Sequence, residues 1–250
     1  MQRNSRRKRH AKIYNQITLR PRLATLRIVN SQNEMCVRYA LTCPPETVRA
    51  CFGYDERPEF PPRSDITPTQ PIAIVTAREF TQGEQRNFRL VRWGFLPSWV
   101  EDPEKFPLIA NARAESVLDK PSFSAAFKRR RCLAPADGFY ARRTAGGGRR
   151  GESLLIRARD GAPFGLAGLY ETYLDPNGSE IDTACILTTR ANALIADVSE
   201  RMPVIVPREA FSAWLNHETT PQGAALALLS PAPETLLSLS PASDGRDTIR

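Results

Sequence analysis

From Met35 onward, Pro, Gly, Asn and Asp cut this chain into apolar segments too short for most helices, and that spacing constrains the fold more than any other feature. P-I-A-I-V-T (71–76) reads as a buried strand, and F-R-L-V-R-W-G-F (88–95) as a strand with alternating faces. R-C-L-A-P-A-D-G-F-Y-A (131–141) and S-L-L-I-R-A-R (153–159) read as strands joined by the Gly-rich R-R-T-A-G-G-G-R-R-G. F-G-L-A-G-L-Y-E-T-Y (164–173) and T-A-C-I-L-T-T (183–189) pair across the D-P-N-G turn. Helical spacing appears at 46–52, behind Pro44-Pro45, and at 122–131, whose basic end suits a helix C-terminus. Shorter helices are expected at 190–198 and 207–215, and an extended Pro-rich crossing at 58–71. Strands with short turns and interspersed helices predict one α+β domain, its sheet largely antiparallel and barrel-like with flanking helices. The expected boundaries are a basic leader over 1–34, the folded domain over 35–229 and a loose Ser/Pro/Ala-rich tail over 230–250.

The net charge of +8 invites a nucleic-acid reading, but its distribution matters more than its size. Residues 1–34 hold nine Lys/Arg and one acid, Glu34, which leaves 26 basic and 26 acidic residues from Met35 onward. The leader is Arg-rich and acid-poor like a mitochondrial presequence, and its R-R-K-R cluster equally suits nucleic-acid contact or disorder. Within the balanced body, Lys128 to Arg159 carries ten Lys/Arg against Asp137 and Glu152. That strip is either a footprint for a phosphate backbone or a solvated loop face.

No apolar run approaches the length of a membrane span, so a soluble protein with no membrane partner is expected. Five cysteines without a C-x-x-C pair, and only His10 and His217, build no usual zinc constellation; neither metal nor cofactor is expected. Odd, unpaired cysteines suit a reducing cytoplasm, the expected (nucleoid-associated) location, and a monomer is expected. N-G-S at Asn177 reads as a hairpin turn and not as a glycosylation acceptor.

Four stretches are odder than a core requires: M-C-V-R-Y (35–39), R-W-G-F-L-P-S-W (92–99), A-N-A-R-A-E-S (110–116) and R-M-P-V-I-V (201–206). Taken singly, Trp93 and Trp99 read as core or rim aromatics, Asn111 as a turn residue and Arg113 as a surface ion pair. Beside Arg38, Arg92, Arg113 and Arg201, the tryptophans would make a stacking platform for unpaired bases flanked by phosphate contacts.

In this order, together with R-C-L-A-P-A-D-G-F-Y, F-G-L-A-G-L-Y-E and I-L-T-T-R-A-N, these motifs resemble the SRAP family, the SOS response-associated peptidases also called abasic site processing proteins. The resemblance runs from Met35 to about Leu215. It implies binding of single-stranded DNA and covalent capture of abasic sites through an N-terminal cysteine, here Cys36, exposed by removal of Met35. The chemistry explains the terminus: an α-amine condenses with the aldehyde of the opened sugar, and the neighbouring thiol closes a thiazolidine. A mid-chain Cys36 has only an amide nitrogen, so the functional chain would have to begin there, through translation from Met35 or proteolysis after it. The resemblance further implies that Asn111 orients the opened sugar and that Arg38, Arg113 and Arg201 grip phosphates. Trp93 would stack on or wedge against a base, with Met202 beside the DNA.

Four positions depart from the family pattern. Ala141 stands where the family carries a catalytic Glu, and Arg142 where it has an aromatic; Ser199 stands where it has a His, and Val37 follows the cysteine in place of Gly. A general acid or base commonly contributes about 10²–10⁴-fold, so impaired proton transfer is expected. Three readings follow: an abasic-site crosslinking protein with slow acid/base steps, a degenerate paralogue that is a non-covalent DNA-binding module, and, least supported without the His, a thiol peptidase.

Overall fold

The computed structural model describes residues 37–78, 85–144 and 150–242. Five strands close on themselves: β3 (Pro71–Ala77), β4 (Arg86–Trp93), β6 (Arg131–Ala136), β9 (Phe164–Leu174) and β10 (Glu180–Arg190). The circuit runs β10-β4-β3-β6-β9 and returns to β10, with every pair antiparallel except β10–β4, so this is a mixed barrel without free edges among its five members. β3, β6 and β9 are nearly continuous apolar runs because both faces are covered, and the middle of β3, Ile72 to Thr76, is buried throughout, whereas β4 mixes polar and apolar residues. The β9–β10 hairpin turns at Asp175–Gly178, where Gly178 at φ 82 donates to Asp175 O at 2.7 Å. That is the D-P-N-G turn read from the sequence.

Three short strands extend the barrel. β5 (Asn111–Arg113) and β11 (Arg201–Pro203) pair with the end of β10, and β12 (Ile205–Val206) pairs with β9. The second sheet has five strands in the order β13-β8-β7-β1-β2: β13 (Leu237–Pro241), β8 (Arg150–Ala158), β7 (Gly138–Thr144), β1 (Tyr39–Leu41) and β2 (Arg63–Ile66). The single strand expected at 131–141 is therefore two, β6 in the barrel and β7 in the second sheet. Asp137 makes the corner. Its carboxylate accepts from the backbone N–H groups of Thr42 and Cys43 and from the Thr42 hydroxyl, and its own N–H donates to Ala40 O at 2.9 Å. One carboxylate thus locks the end of β1 against the start of β7.

Two expectations are corrected here. The Pro-rich crossing contains an edge strand, β2. The tail expected to be loose from Ser230 instead supplies β13, paired with β8 from Leu237–Ala158 to Pro241–Leu154, with Leu237 buried. The alternation L-S-L-S hides this strand in a Ser-rich composition.

Helices α1 (Pro45–Phe52) and α2 (Pro121–Arg129) each begin with Pro at the first turn, where its missing N–H costs nothing. α3 (Ala193–Ala196) is shorter than expected; Asn192 caps it by accepting from Ile195 N. α4 (Phe211–Leu215) follows a 3₁₀ turn, and α5 (Gln222–Ala227) completes the set. Among the described residues no helix is long and apolar enough to cross a membrane. The C-terminal ends of α2 and α4 converge on one buried side chain, Arg131, which donates to Phe127 O, Trp214 O and Asn216 O at 3.1, 2.5 and 3.1 Å. Burial pulls its pKa down to about 10, but the two carbonyl-rich helix ends hold it cationic at neutral pH. Arg131→Ala leaves these carbonyls without donors and should lower the unfolding free energy by about 3 kcal/mol, measured by urea denaturation.

Candidate functional site

β1 carries the start of the described chain across β7. Tyr39 lies opposite Phe139 and Ala40 opposite Gly138, and Tyr140 N donates to Arg38 O at 3.0 Å. Running that antiparallel register on sets Val37 against Ala141. Cys36 itself lies outside the described residues. Alternation sends Tyr39 inward and Arg38 outward. The Arg38 guanidinium stacks over the Tyr140 ring at 4.1 Å from its centroid, and its Nε donates to Asp65 Oδ1 at 2.6 Å.

Inside, the Tyr39 ring meets Trp93 edge to face at 5.3 Å. The Trp93 indole N–H donates at 2.7 Å to Ala110 O, the carbonyl that also accepts from Ile186 N at 3.0 Å. The next residue is Asn111, which opens β5 opposite Ile186. One indole therefore braces the strand that leads from position 36 against the strand that presents Asn111. Gly94 makes this possible: at φ 147 it turns the chain out of β4, and a Cβ there would run into Leu108 Cδ1.

Beyond Asn111, β10 lines up Arg113 with Thr188, and Thr188 with Pro203 of β11. Asn111 is buried and Arg113 exposed. Glu115 follows in a 3₁₀ turn, and Arg201 grips it bidentately at 2.8 and 2.9 Å while also donating to Thr188 O at 2.7 Å. The partial burial of Glu115 opposes its ionised form, but the hydrogen bonds and charge of Arg201 outweigh this and hold its pKa below the usual carboxylate value.

Asn111, Arg113 and Arg201 thus share one end of the barrel, and Tyr39 and Trp93 tie to it the strand that follows Arg38, whose own side chain points away. Other expectations need correcting. Trp93 is 0 % exposed and offers no ring face to a base; the exposed indole of the pair is Trp99, at 59 %, edge-on to Phe106. Met202 is fully buried and is a core residue. Arg201 is buried and already paired, so a phosphate would have to displace Glu115 to reach it.

The two departures from the family's Glu and His, at 141 and 199, hold no proton-transfer group. Ala141 is a buried methyl opposite Leu154. The Ser199 hydroxyl donates to Arg201 O at 2.8 Å and accepts from Arg201 N at 3.3 Å, closing a local turn. Glu171, whose pKa burial raises despite the Arg130 guanidinium 2.6 Å away, sits in the Thr183 row of β10, three residues or about 10 Å along the strand from the Asn111 row. Among the described residues no group of three His, Cys, Asp or Glu side chains is placed to hold a metal.

Sequence reasoning missed Asp65, Tyr140 and Thr188 as partners of the site arginines. The alternation in A-N-A-R-A-E-S hinted that Glu115 shares a side with Arg113, but its pairing with Arg201 depends on β11 lying beside β10.

The family profile described as SOS response associated peptidase (SRAP) matches residues 35–245, and the chain belongs to that family. It is 32 % identical over 200 residues to the abasic site processing protein YoqW of Bacillus subtilis, covering 79 % of this chain and 87 % of that one. It is 26 % identical over 236 residues to the abasic site processing protein HMCES of Gallus gallus, covering 79 % of this chain and 70 % of that one. A crystal structure of a Bacteroides thetaiotaomicron protein shares the fold with a TM-score of 0.73 at 23 % identity, over 84 % of this chain and 93 % of that chain.

Glu115→Gln tests the ion pair. A depressed carboxylate contributes stability above its unfolded pKa of about 4.3 and loses it as pH falls through the lower folded value. Because Glu115 is 45 % exposed, the variant should cost under about 1 kcal/mol at pH 7. The difference from the parent should shrink between about pH 5 and pH 3 in urea titrations.

Proposed function

We propose that this protein processes abasic sites in DNA, acting as a cytoplasmic monomer on single-stranded DNA and trapping the lesion covalently through Cys36 once Met35 is removed. The observation that carries the reading is the brace of Tyr39, Trp93 and Ala110: it ties the strand that follows Cys36 to the strand bearing Asn111. Membership of the family, and relatives named for abasic site processing, support the substrate class. Free thiols at Cys43, Cys51, Cys132 and Cys185 suit a reducing compartment.

In this reading the α-amine of Cys36 attacks the sugar aldehyde and water leaves as the imine forms. The thiolate sulfur then bonds to the imine carbon, and the nitrogen takes up the proton, closing the ring. Asn111 orients the sugar hydroxyl, Arg38 and Arg113 contact the flanking phosphates, and Trp99 offers its exposed face to a base. Proximity and orientation supply much of the rate. Ala141 and Ser199 supply no acid or base, so ring closure and any later reversal or strand cleavage are slow.

A second reading, a non-covalent DNA-binding module, is favoured by that same pair of positions, since neither a buried methyl nor a turn-bound hydroxyl transfers a proton. One experiment separates the two. The chain from Met35 to Arg250, with its Met removed, is incubated with an abasic single-stranded oligonucleotide. The covalent reading expects a heat-stable adduct that Cys36→Ala abolishes, formed about 10²-fold faster by Ala141→Glu. Binding without adduct, indifferent to Cys36→Ala, selects the module.

A further inference from the structure

The basic strip noted between Lys128 and Arg159 has no part in the site above, yet the second sheet sets two of its arginines, Arg142 and Arg157, on one exposed surface. Phe139 and Ala141 of β7 and Leu154, Ile156 and Ala158 of β8 are buried, so the intervening Tyr140, Arg142 and Arg157 face the opposite way. Arg38, one residue before β1, joins them, stacked on Tyr140. We propose that this outer sheet face is a second DNA track, which carries the single strand onward from Arg38 by contacts of Arg142 and Arg157 with its phosphates.

Three observations support it. First, the charge is uncompensated. The acid on this face is Asp65, and Arg38 holds it at 2.6 Å. Arg143 and Glu152 pair with each other at 4.0 Å. Arg142 and Arg157 are exposed, with no carboxylate at ion-pair distance among the described residues. Second, the surface is level. Gly138 lies opposite Arg157, and a Cβ there would stand 2.8 Å from Leu155 Cδ1 and 3.3 Å from Arg157 Cγ, so neighbouring side chains lean over the space a side chain would have taken. Arg142 pairs with Ser153, four residues along β8 from Arg157, which sets the two cations about 13 Å apart along the strands. Third, neither end of the chain complements this charge. Residues 1–34, with nine Lys/Arg against Glu34, would be repelled, while acids and bases balance in 243–250. The complementary partner is an extended polyanion, and continuity with Arg38 makes it the strand that carries the lesion. This rests on the DNA-binding part of the proposed function and not on the covalent step.

The test uses the full chain and a fluorescent thirty-nucleotide oligo(dT) without abasic sites, so that no adduct contributes. Arg142→Gln/Arg157→Gln should weaken binding at least tenfold and lower the slope of log affinity against log salt by about 1.4, as two lost contacts to a single strand require. The Arg142→Lys/Arg157→Lys variant should keep the slope. Arg49→Gln/Arg208→Gln removes equal charge at α1, where Arg208 donates to Ala50 O at 3.1 Å, and should change neither quantity. An unchanged slope in the sheet-face variant, or an equal loss in the control, overturns the track while leaving the adduct experiment free to succeed. Adduct failure with the slope change intact overturns the covalent reading alone.

Discussion

The hydrogen bond from the Trp93 indole to the Ala110 carbonyl is the contact on which the arrangement depends. It spans the loop between β4 and β5, whose strands occupy successive stretches of one edge of β10. With Tyr39 packed edge-on against the same indole, three segments distant in sequence are held in one frame: the strand behind position 36, the end of β4 and the start of β5. A Phe here would fill most of the volume and donate nothing, leaving the carbonyl with its Ile186 partner only. The tryptophan is therefore a spacer that sets the distance between the strand behind position 36 and Asn111, and its burial is the condition of that role.

The arginines divide by what compensates them. Arg131 is buried among carbonyl oxygens and serves the core, closing two helix ends. Arg201 is buried against Glu115 and Thr188 and orders the end of the barrel. Arg38 is half-engaged, stacked on Tyr140 and paired with an exposed carboxylate that water and salt readily screen. Arg142 and Arg157 stand in solvent without partners of opposite charge among the described residues. The gradient from fully satisfied to unsatisfied runs from the barrel interior to the outer sheet, where a phosphate can replace water at least cost.

Much of the fold was legible because short apolar segments and turn residues report local structure directly. The hairpin at Asp175–Gly178, the Pro-led α1 and α2, and β3 and β4 lie close to where periodicity set them. The split of 131–141 was hidden because both halves are apolar; only Asp137 marks it, and its meaning depends on Thr42 and Cys43, some 95 residues away. The tail escaped because Ser-rich alternation looks polar until β8 pairs along its edge and Leu237 packs into the core. The site was legible as a set of motifs and not as a set of roles. Nothing in R-W-G-F-L-P-S-W distinguishes the enclosed Trp93 from the exposed Trp99, because exposure is decided by what packs on each ring.

What the sequence determined by itself is the inventory and its order: strands of a given length, turns, a cysteine after a methionine, and the absence of a carboxylate at 141 and of an imidazole at 199. Those are local or compositional facts. What only the tertiary structure decided is which cations are spent on the protein itself and which remain for a ligand. That division depends on partners such as Glu115, Asp65 and the carbonyls of two helix ends, and closing a barrel brings together groups whose separation along the chain carries no local signal.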